Sequence, residues 1–283
     1  MRLSIITINW NNREGLRKTM DNILGQSART DFEYVVVDGG ADDGSGEMLE
    51  KEYDGKLDKW TSQPIKPIYR KMNMGVQMAT GDYCLFLNSG DALNDPDVVK
   101  DVLPHLDGNY DMVIGTIFEG EKRTRVPDEI TYLWMYKASI PHSAAFIRRD
   151  LLLQHPYDEN LTIVSDWKFF LQTLILDNVS YKLIDRDISY FDLTGISSTH
   201  PEKVSEERRK VLDELIPLRI SMDYLQFTKG AGYRNSDYDW FYLELRKYKY
   251  GAVLYFLNVV TMRFIALFRK GARFARNFSP FRR

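Results

Sequence analysis

Short apolar runs that end abruptly at polar residues constrain the fold of this chain most strongly. Three such runs occupy positions 3–8, 32–37 and 83–87. Apolar residues at helical spacing lie between them. Each run is followed by an amide or carboxylate side chain, namely Asn9, Asp38 and Asn88. Strands that are apolar on both faces and alternate with helices are typical of a parallel sheet covered by helices on both sides. The sequence therefore predicts an α/β fold.

The polar residues that follow these runs are the candidate site. In open α/β sheets, ligands bind beyond the carboxyl ends of the strands. The sequence contains no P-loop, and no Gly-x-Gly-x-x-Gly motif follows the first run, so the commonest phosphate-binding and dinucleotide-binding uses of such a sheet are excluded. Further along, residues 143–147 are predicted as a strand, and 166–176 and 202–215 as helices.

Two aspartates stand out at strand ends. Asp38 precedes two glycines, and it could accept hydrogen bonds from a planar base while the glycines allow close backbone approach. Asp91 could hold Mg²⁺ or Mn²⁺ beside a nucleotide diphosphate. Either residue could instead cap the helix that follows it. Position alone leaves both alternatives open.

Six ordered blocks of sequence together resemble a known family. They are 4–11, 32–40, 69–83, 86–91, 141–146 and 165–167. They resemble the inverting glycosyltransferases of family 2, which have the GT-A fold, a Rossmann-like mixed sheet flanked by helices. The resemblance covers about residues 1–210. It implies sugar transfer from a nucleotide-sugar, namely a UDP-sugar, with Mg²⁺ or Mn²⁺ as cofactor. The implied acceptor is a hydroxyl of a saccharide or lipid-linked saccharide in cell-surface polysaccharide biosynthesis.

The resemblance also implies roles for individual residues on the donor side. Asp91 matches the last acid of the family's metal motif, and His200 is a candidate further metal ligand. The chain departs from the family pattern here, because Asn88 and Gly90 replace acids that many members carry. The implied donor-binding residues are Thr7, Asn9, Asp38, Arg70, Asn73 and Asn88.

Asp166 begins a predicted amphipathic helix. Inversion at the sugar needs a base that deprotonates the acceptor hydroxyl, and the resemblance implies that Asp166 is this catalytic base. The alternative is a helix cap together with Ser165. By the same resemblance, His142 lies on the acceptor side of the cleft.

The C-terminal region differs in charge from the rest of the chain. From Leu245 onward it holds ten of the 38 basic residues and none of the 40 acidic ones. Its apolar run, 251–267, is shorter than the roughly 20 residues of a membrane span. Basic and aromatic residues interleaved on a helix favour the surface of an anionic membrane. We therefore predict a catalytic domain at 1–210 and a helical extension at 211–283. The extension could instead pack on the catalytic domain or form a homodimer. No nucleic-acid recognition fold accompanies it.

The cysteine content and the N-terminal residues indicate a cellular location. Cys84 is a single cysteine in an apolar run, and no signal peptide is recognised at the N-terminus. A cytoplasmic enzyme, peripheral on the inner face of the membrane, is therefore expected.

Nucleotidyl transfer is disfavoured because no glycine-rich loop with a basic residue follows the first run. A non-catalytic protein that binds sugar-nucleotides, or a scaffold on a degenerate transferase fold, remains the alternative.

Overall fold

The structure is a computed structural model that describes residues 2–191 and 199–228, with the main chain alone for 225–228. One compact unit covers Met1–Ile216, and a second unit begins at Pro217. The site described below lies in the first unit.

A nine-stranded sheet forms the centre of the first unit in the described part of the chain. Its strand order is β3-β2-β1-β4-β8-β6-β9-β5, and β7 pairs with β6 as a hairpin. The strands are β1 (Leu3–Asn9), β2 (Glu33–Asp38), β3 (Lys59–Ser62), β4 (Tyr83–Phe86), β5 (Ala92–Leu93), β6 (Met112–Glu119), β7 (Lys122–Thr124), β8 (Ala145–Arg148) and β9 (Tyr181–Phe191).

The sheet is mixed, as the family resemblance implied. Strands β3, β2, β1 and β4 are parallel, which confirms the parallel pattern expected from the first hundred residues. Beyond β4 the parallel pattern ends, because β8 runs antiparallel to both β4 and β6. An apolar run shows that a strand is buried on both faces, but it carries no information about direction. The strand predicted at 143–147 begins instead as a 3₁₀ turn, His142–Ala144, before β8.

Helices cover both faces of this sheet. Alternate residues of β1 face opposite sides, so Ile6 and Ile8 pack in one core cluster and Ile5 packs in the other. The helices are α1 (Arg13–Leu24), α2 (Ser45–Met48, continued by a π-helical turn at Leu49–Tyr53), α3 (Ile68–Met78), α4 (Val98–Val102), α5 (Tyr132–Lys137), α6 (Arg149–Gln154), α7 (Ser165–Phe170, continued as a π-helix at Leu171–Leu176), α8 (Pro201–Leu215) and α9 (Leu218–Thr228).

Helix α8 belongs to the first unit. Its Val211 is buried in the same core cluster as Ile6 and Trp167. The domain boundary predicted at residue 210 therefore falls inside this helix, whereas the compact unit ends at Ile216. The predicted membrane-surface helix lies outside the described residues. Within the described ranges, no helix has both the length and the hydropathy of a membrane span.

Glu33 organises the edge of the sheet opposite the site. It is the first residue of β2, and its buried carboxylate accepts hydrogen bonds from Ser4 Oγ at 2.5 Å and from the Thr80 N–H at 2.7 Å. Lys59 Nζ lies 2.9 Å away. Burial alone would raise the pKa of Glu33, but the hydrogen bonds from Ser4, Thr80 and Lys59 outweigh it and lower that pKa. One carboxylate therefore ties together β1, β2, β3 and the turn that precedes β4.

We expect Glu33→Gln to lower the free energy of unfolding at pH 7 by about 1–3 kcal/mol, because buried donors lose their charged acceptor. Because the pKa of Glu33 is lower in the folded state than in the unfolded state, its carboxylate stabilises the fold above the unfolded-state pKa. This contribution is lost as the pH falls through the folded-state pKa. The difference in the free energy of unfolding between Glu33→Gln and wild type should therefore become smaller in acid. Urea unfolding between pH 3 and pH 7 measures it.

The matched control is Glu47→Gln, which removes an exposed carboxylate that pairs with Lys51 four residues on. Its effect on the free energy of unfolding should be much smaller than that of Glu33→Gln, because exposed ion pairs contribute little. Equal destabilisation by the two substitutions would contradict the role given to Glu33.

Candidate active site

A cleft of about 670 Å³ opens at the carboxyl ends of β1 and β4. One wall is built from the loop after β1 and from the first turns of α3. The other wall is built from residues 159–163 and the start of α7. The side chains that line the cleft include Asn9, Trp10, Tyr69, Lys71, Asn88, Asp91, His142 and Asp166. This is the edge at which the sequence predicted a site.

Asp38 lies behind the cleft, not on its surface. It is 0% exposed, and it accepts hydrogen bonds from Asn9 Nδ2 at 2.8 Å, Ser62 Oγ at 2.6 Å and the Gly40 N–H at 3.2 Å. Asp38 does not cap α2, because the first N–H of that helix, on Ser45, donates its hydrogen bond to Asp43 Oδ1. Asp38 therefore orients Asn9.

Asn9 is the residue of this pair that reaches the cleft. Its Oδ1 is buried and has no hydrogen-bond partner among the described residues. An unsatisfied buried acceptor is costly, so this oxygen is suited to accept an N–H from a ligand. Thr7, by contrast, is fully buried and shares a 3.0 Å hydrogen bond with Tyr34 Oη. It supports the strand and does not line the cleft.

Lys71 is a cleft residue for which the sequence indicated no role of its own, although it lies beside the predicted donor-binding residues Arg70 and Asn73. It is only 2% exposed, and its Nζ donates to the carbonyls of Ile65 at 3.3 Å and Lys66 at 3.4 Å. It also lies 5.3 Å from the ring centroid of Trp10. Burial lowers its pKa to about 8, against the opposing charge of Asp38. Lys71 lies three residues after Ile68 and therefore on the same apolar face of α3, and this spacing was the sequence signal that could have identified it.

The structure places Arg70 and Asn73 away from the cleft. Successive helical residues point about 100° apart, so neither shares the direction of Lys71. Arg70 is exposed. Asn73 forms a two-way amide pair with the main chain of Tyr157, donating to its carbonyl at 2.9 Å and accepting from its N–H at 2.9 Å. Asn73 thus supports the opposite wall, and its donor-binding role stays a prediction.

The segment Asn88–Asp91 brings oxygen ligands to the floor of the cleft. Asp91 is 3% exposed, and its Oδ2 accepts from the Asn88 N–H at 3.2 Å. Asn88 Oδ1 is buried, with no hydrogen-bond partner among the described residues. A carboxylate and an amide oxygen are the kind of ligands that Mg²⁺ and Mn²⁺ take when substrate phosphates complete the shell. The two residues therefore fit a divalent cation.

His200 is not brought to this floor. It is exposed, it immediately precedes α8, and its ring bonds Thr199 Oγ1 at 2.8 Å. Across residues 2–191 and 199–228, no three His, Cys, Asp or Glu side chains form a metal cluster.

Asp166 is the centre of a hydrogen-bonded chain that crosses the cleft. Its Oδ1 accepts from Tyr69 Oη at 3.0 Å, and its Oδ2 lies 3.3 Å from His142 Nδ1. His142 Nε2 lies 3.2 Å from Asn88 Nδ2. We assign the proton of Nδ1 to the bond with Asp166, so that Nε2 accepts from the Asn88 amide. We call Tyr69, Asp166, His142 and Asn88 the Asp166 network.

This network keeps Asp166 ionised. Burial would raise the pKa of Asp166, but the hydrogen bonds from His142, the Trp167 N–H and Tyr69 outweigh it and lower that pKa. Burial acts to lower the pKa of His142, and Asp166 more than offsets this and raises it. The N-cap of α7 is Val164, so the helix-cap alternative does not describe Asp166. An ionised carboxylate that faces a cleft is suited to accept a proton.

A family model described as glycosyl transferase family 2 matches residues 4–155. An uncharacterized glycosyltransferase of Mycobacterium tuberculosis is 29% identical over 251 residues, which cover 82% of this chain and 93% of the relative. A PGL/p-HBAD biosynthesis glycosyltransferase of the same species is 28% identical over 219 residues, which cover 71% and 80%. The chain is therefore similar to transferase enzymes over most of its length.

Solved structures show the same GT-A fold. Residues 1–349 of Staphylococcus aureus TarS in complex with UDP give a TM-score of 0.59 at 23% identity, over 76% of this chain and 65% of that one. The match spans 39% of a longer TarS chain. A Pyrobaculum calidifontis mannosyltransferase with GDP-Man and Mn²⁺ gives a TM-score of 0.55 at 13% identity, over 91% and 84%.

The family model spans more than half of the chain, and the GT-A fold, the strand-end cleft and the similarity to glycosyltransferases agree with it. The chain thus belongs to glycosyl transferase family 2.

Proposed function

We propose that this enzyme transfers a sugar from a UDP-sugar to a hydroxyl of a saccharide or lipid-linked saccharide, with inversion at the sugar. The observation that carries the proposal is Asp166, an ionised carboxylate held on both oxygens by Tyr69 and His142 in the same cleft as Asp91. TarS complexes with UDP and with UDP-GlcNAc support the choice of nucleotide.

In this mechanism Asp166 accepts the proton of the acceptor hydroxyl. As that proton leaves, the hydroxyl oxygen attacks the anomeric carbon from the face opposite the diphosphate. The bond from the anomeric carbon to the phosphate oxygen breaks, and its electron pair departs with UDP. Tyr69 and His142 hold the carboxylate in place for this transfer, which is the positioning that general-base catalysis needs.

Asp91 and Asn88 Oδ1 would hold the divalent cation. When bound, Mg²⁺ or Mn²⁺ would neutralise the charge of the diphosphate leaving group. The mannosyltransferase of similar fold is described with Mn²⁺. His142 links this side of the cleft to the base, because its ring contacts both Asn88 and Asp166.

The other end of the cleft suits a uracil ring. Asn9 Oδ1, which has no hydrogen-bond partner in the described part of the chain, is an acceptor, and the ammonium of Lys71 is a donor. Uracil presents an N–H between two carbonyl oxygens, so one acceptor and one donor complement its edge. Asp38 acts here by orienting Asn9.

The biological setting stays a prediction. A role in cell-surface polysaccharide biosynthesis is supported by the relatives named for PGL/p-HBAD biosynthesis. Membrane contact through the C-terminal helix, a homodimer and a cytoplasmic location are proposals of the same kind, and the helix itself lies outside the described residues.

Replacing Asp166 by Asn should lower turnover of UDP-sugars with Mn²⁺ by about 10²–10⁴-fold, because the amide cannot take the proton. UDP should still raise the melting temperature of the variant, since donor contacts remain. A panel of UDP-sugars that includes UDP-GlcNAc, read by UDP release, measures turnover. Asp177→Asn, beyond the far end of the same helix, is the control and should keep wild-type rates.

Full turnover by Asp166→Asn would show that another group is the base. UDP binding without turnover in the wild type would instead favour a sugar-nucleotide-binding protein over an enzyme that uses these donors.

Replacing His142 by Phe should move the acid limb of the pH profile of kcat/KM to higher pH. Without the His142 hydrogen bond, burial dominates and raises the pKa of Asp166, so the base becomes protonated at a higher pH. Tyr69 and the charge of Arg208 also act on Asp166, and both remain in the variant. The control is His155→Phe, whose ring bonds Gln172. If the acid limb of His142→Phe stays where it is in the wild type, His142 does not lower the pKa of Asp166.

Replacing Lys71 by Met should weaken UDP binding about tenfold or more, because a hydrogen bond from a charged donor is lost. The affinity of the wild type should also fall as the pH rises through about 8, the pKa of this ammonium. Isothermal titration with UDP measures both effects. Lys66→Met removes an exposed ammonium on the rim and should change the affinity little. An equal loss of UDP affinity in Lys71→Met and Lys66→Met would show that Lys71 makes no specific contact with UDP.

A further inference from the structure

The wall of the cleft next to Asp166 is a single loop, residues 158–164, which we call the Asp166 loop. Residues 159–163 of this loop line the cleft. Val164 is the N-cap of α7, and Asp166 follows two residues later. The placement of the carboxylate therefore depends on where this loop is held.

The start of the loop is fixed from α3. Asn73 pairs with both main-chain groups of Tyr157, the residue just before the loop. The Asp158 N–H donates to Ser165 Oγ at 2.5 Å, which closes the loop on itself. These contacts hold the entry to the loop but not its last three N–H groups.

The end of the loop is fixed by Glu207 of α8. This side chain is only 6% exposed. Its Oε1 accepts from the Thr162 N–H at 2.9 Å, and its Oε2 accepts from the N–H groups of Ile163 at 2.9 Å and Val164 at 3.3 Å. One carboxylate thus bonds three successive main-chain donors.

These donors have few alternative partners. Thr162 and Ile163 precede α7 and Val164 is its N-cap, so none of the three N–H groups has an intrahelical acceptor. The positive end of α7 also favours a carboxylate nearby. Hydrogen bonds from main-chain N–H groups to an ionised acceptor are stronger than neutral ones. Removing this charge would leave buried donors without a partner beside the catalytic carboxylate.

Two further contacts join α8 to α7. The guanidinium of Arg208 stacks 4.7 Å from the ring centroid of Trp167, and Glu214 bonds Lys168 Nζ at 2.9 Å. Both attach helix to helix, and Lys168 Nζ also bonds Asp158 Oδ2 at 2.8 Å at the start of the loop. Neither reaches the N–H groups of residues 162–164. Glu207 is the α8 side chain whose bonds reach the cleft wall itself.

We propose that Glu207 is a positioning residue that fixes the Asp166 loop as the acceptor-side wall and, through it, the placement of Asp166. This deepens the proposed function and rests on it for its catalytic consequence. Glu207 lies outside the residues that the family model matches. The uracil end of the cleft is formed by Asn9 and Lys71, on β1 and α3, so losing Glu207 should impair turnover and leave UDP binding intact.

The experiment compares Glu207→Gln with Glu206→Gln in the full chain. The two residues are adjacent, but Glu206 is exposed and pairs with Lys210 at 2.7 Å. In Glu207→Gln, an amide N–H replaces an oxygen that accepts, so at least one loop donor loses its partner. Hydrogen–deuterium exchange of a peptide that covers 157–166 reports the loop directly. Kinetics with UDP-GlcNAc and Mn²⁺ separate kcat from the donor KM.

We expect exchange in this peptide to accelerate about tenfold or more in Glu207→Gln and to stay at the wild-type rate in Glu206→Gln. The kcat of Glu207→Gln should fall about 10- to 100-fold, with the donor KM and the UDP-induced thermal shift unchanged. A merely structural role would lower the melting temperature without this split between kcat and KM.

Equal exchange in the two variants would overturn the proposal, as would faster exchange with an unchanged kcat. If Glu207→Gln does not fold, Glu207→Asp keeps the charge but shortens its reach, and it should give intermediate losses. If the wild type turns over no UDP-sugar, the proposed function fails, and the exchange result alone still decides whether Glu207 holds the loop.

Discussion

The complete burial of strand β1 is the constraint on which the rest of the structure depends. All seven of its residues are buried, and parallel neighbours pair with it on both sides. Polar groups can therefore serve a role only near its ends. At the amino end, Ser4 is bonded by Glu33 in a contact that stabilises the sheet. At the carboxyl end, Asn9 is bonded by Asp38, and it opens onto the cleft. Stability and ligand binding are thus separated along one strand.

The two walls of the cleft have different origins in the chain. One wall, which the proposed function assigns to the donor, comes from β1, α3 and the segment after β4, all within the residues that the family model matches. The other wall, assigned to the acceptor, comes from the loop before α7, and helix α8 supports it. His142 connects the two, since its ring contacts both Asn88 and Asp166.

Asn9, Asn88, Asp91, His142 and Asp166 meet at the cleft. Asn9 and Asn88 were predictable because they end apolar runs, and the family resemblance indicated the others. Sequence spacing does not give the direction of a side chain, and this limited what the sequence could place. Arg70 and Asn73 lie one helical turn from each other and miss the cleft, whereas Lys71 between them reaches it. Asp38 proved to be a support for Asn9, because its oxygens are already bonded by protein donors.

The sequence by itself determined the fold class and the edge of the sheet at which the cleft opens. Local apolar patterns and the ends of strands carry that information, because both depend on residues that are neighbours in the chain. The role of Asp166 as a base was indicated only by the resemblance to family 2, and it stays a prediction. Only the tertiary structure decided the antiparallel direction of β8, the burial of Lys71 in the cleft and the contact of Glu207 with the Asp166 loop. Glu207 and Thr162 are 45 residues apart, and packing alone brings such distant residues together.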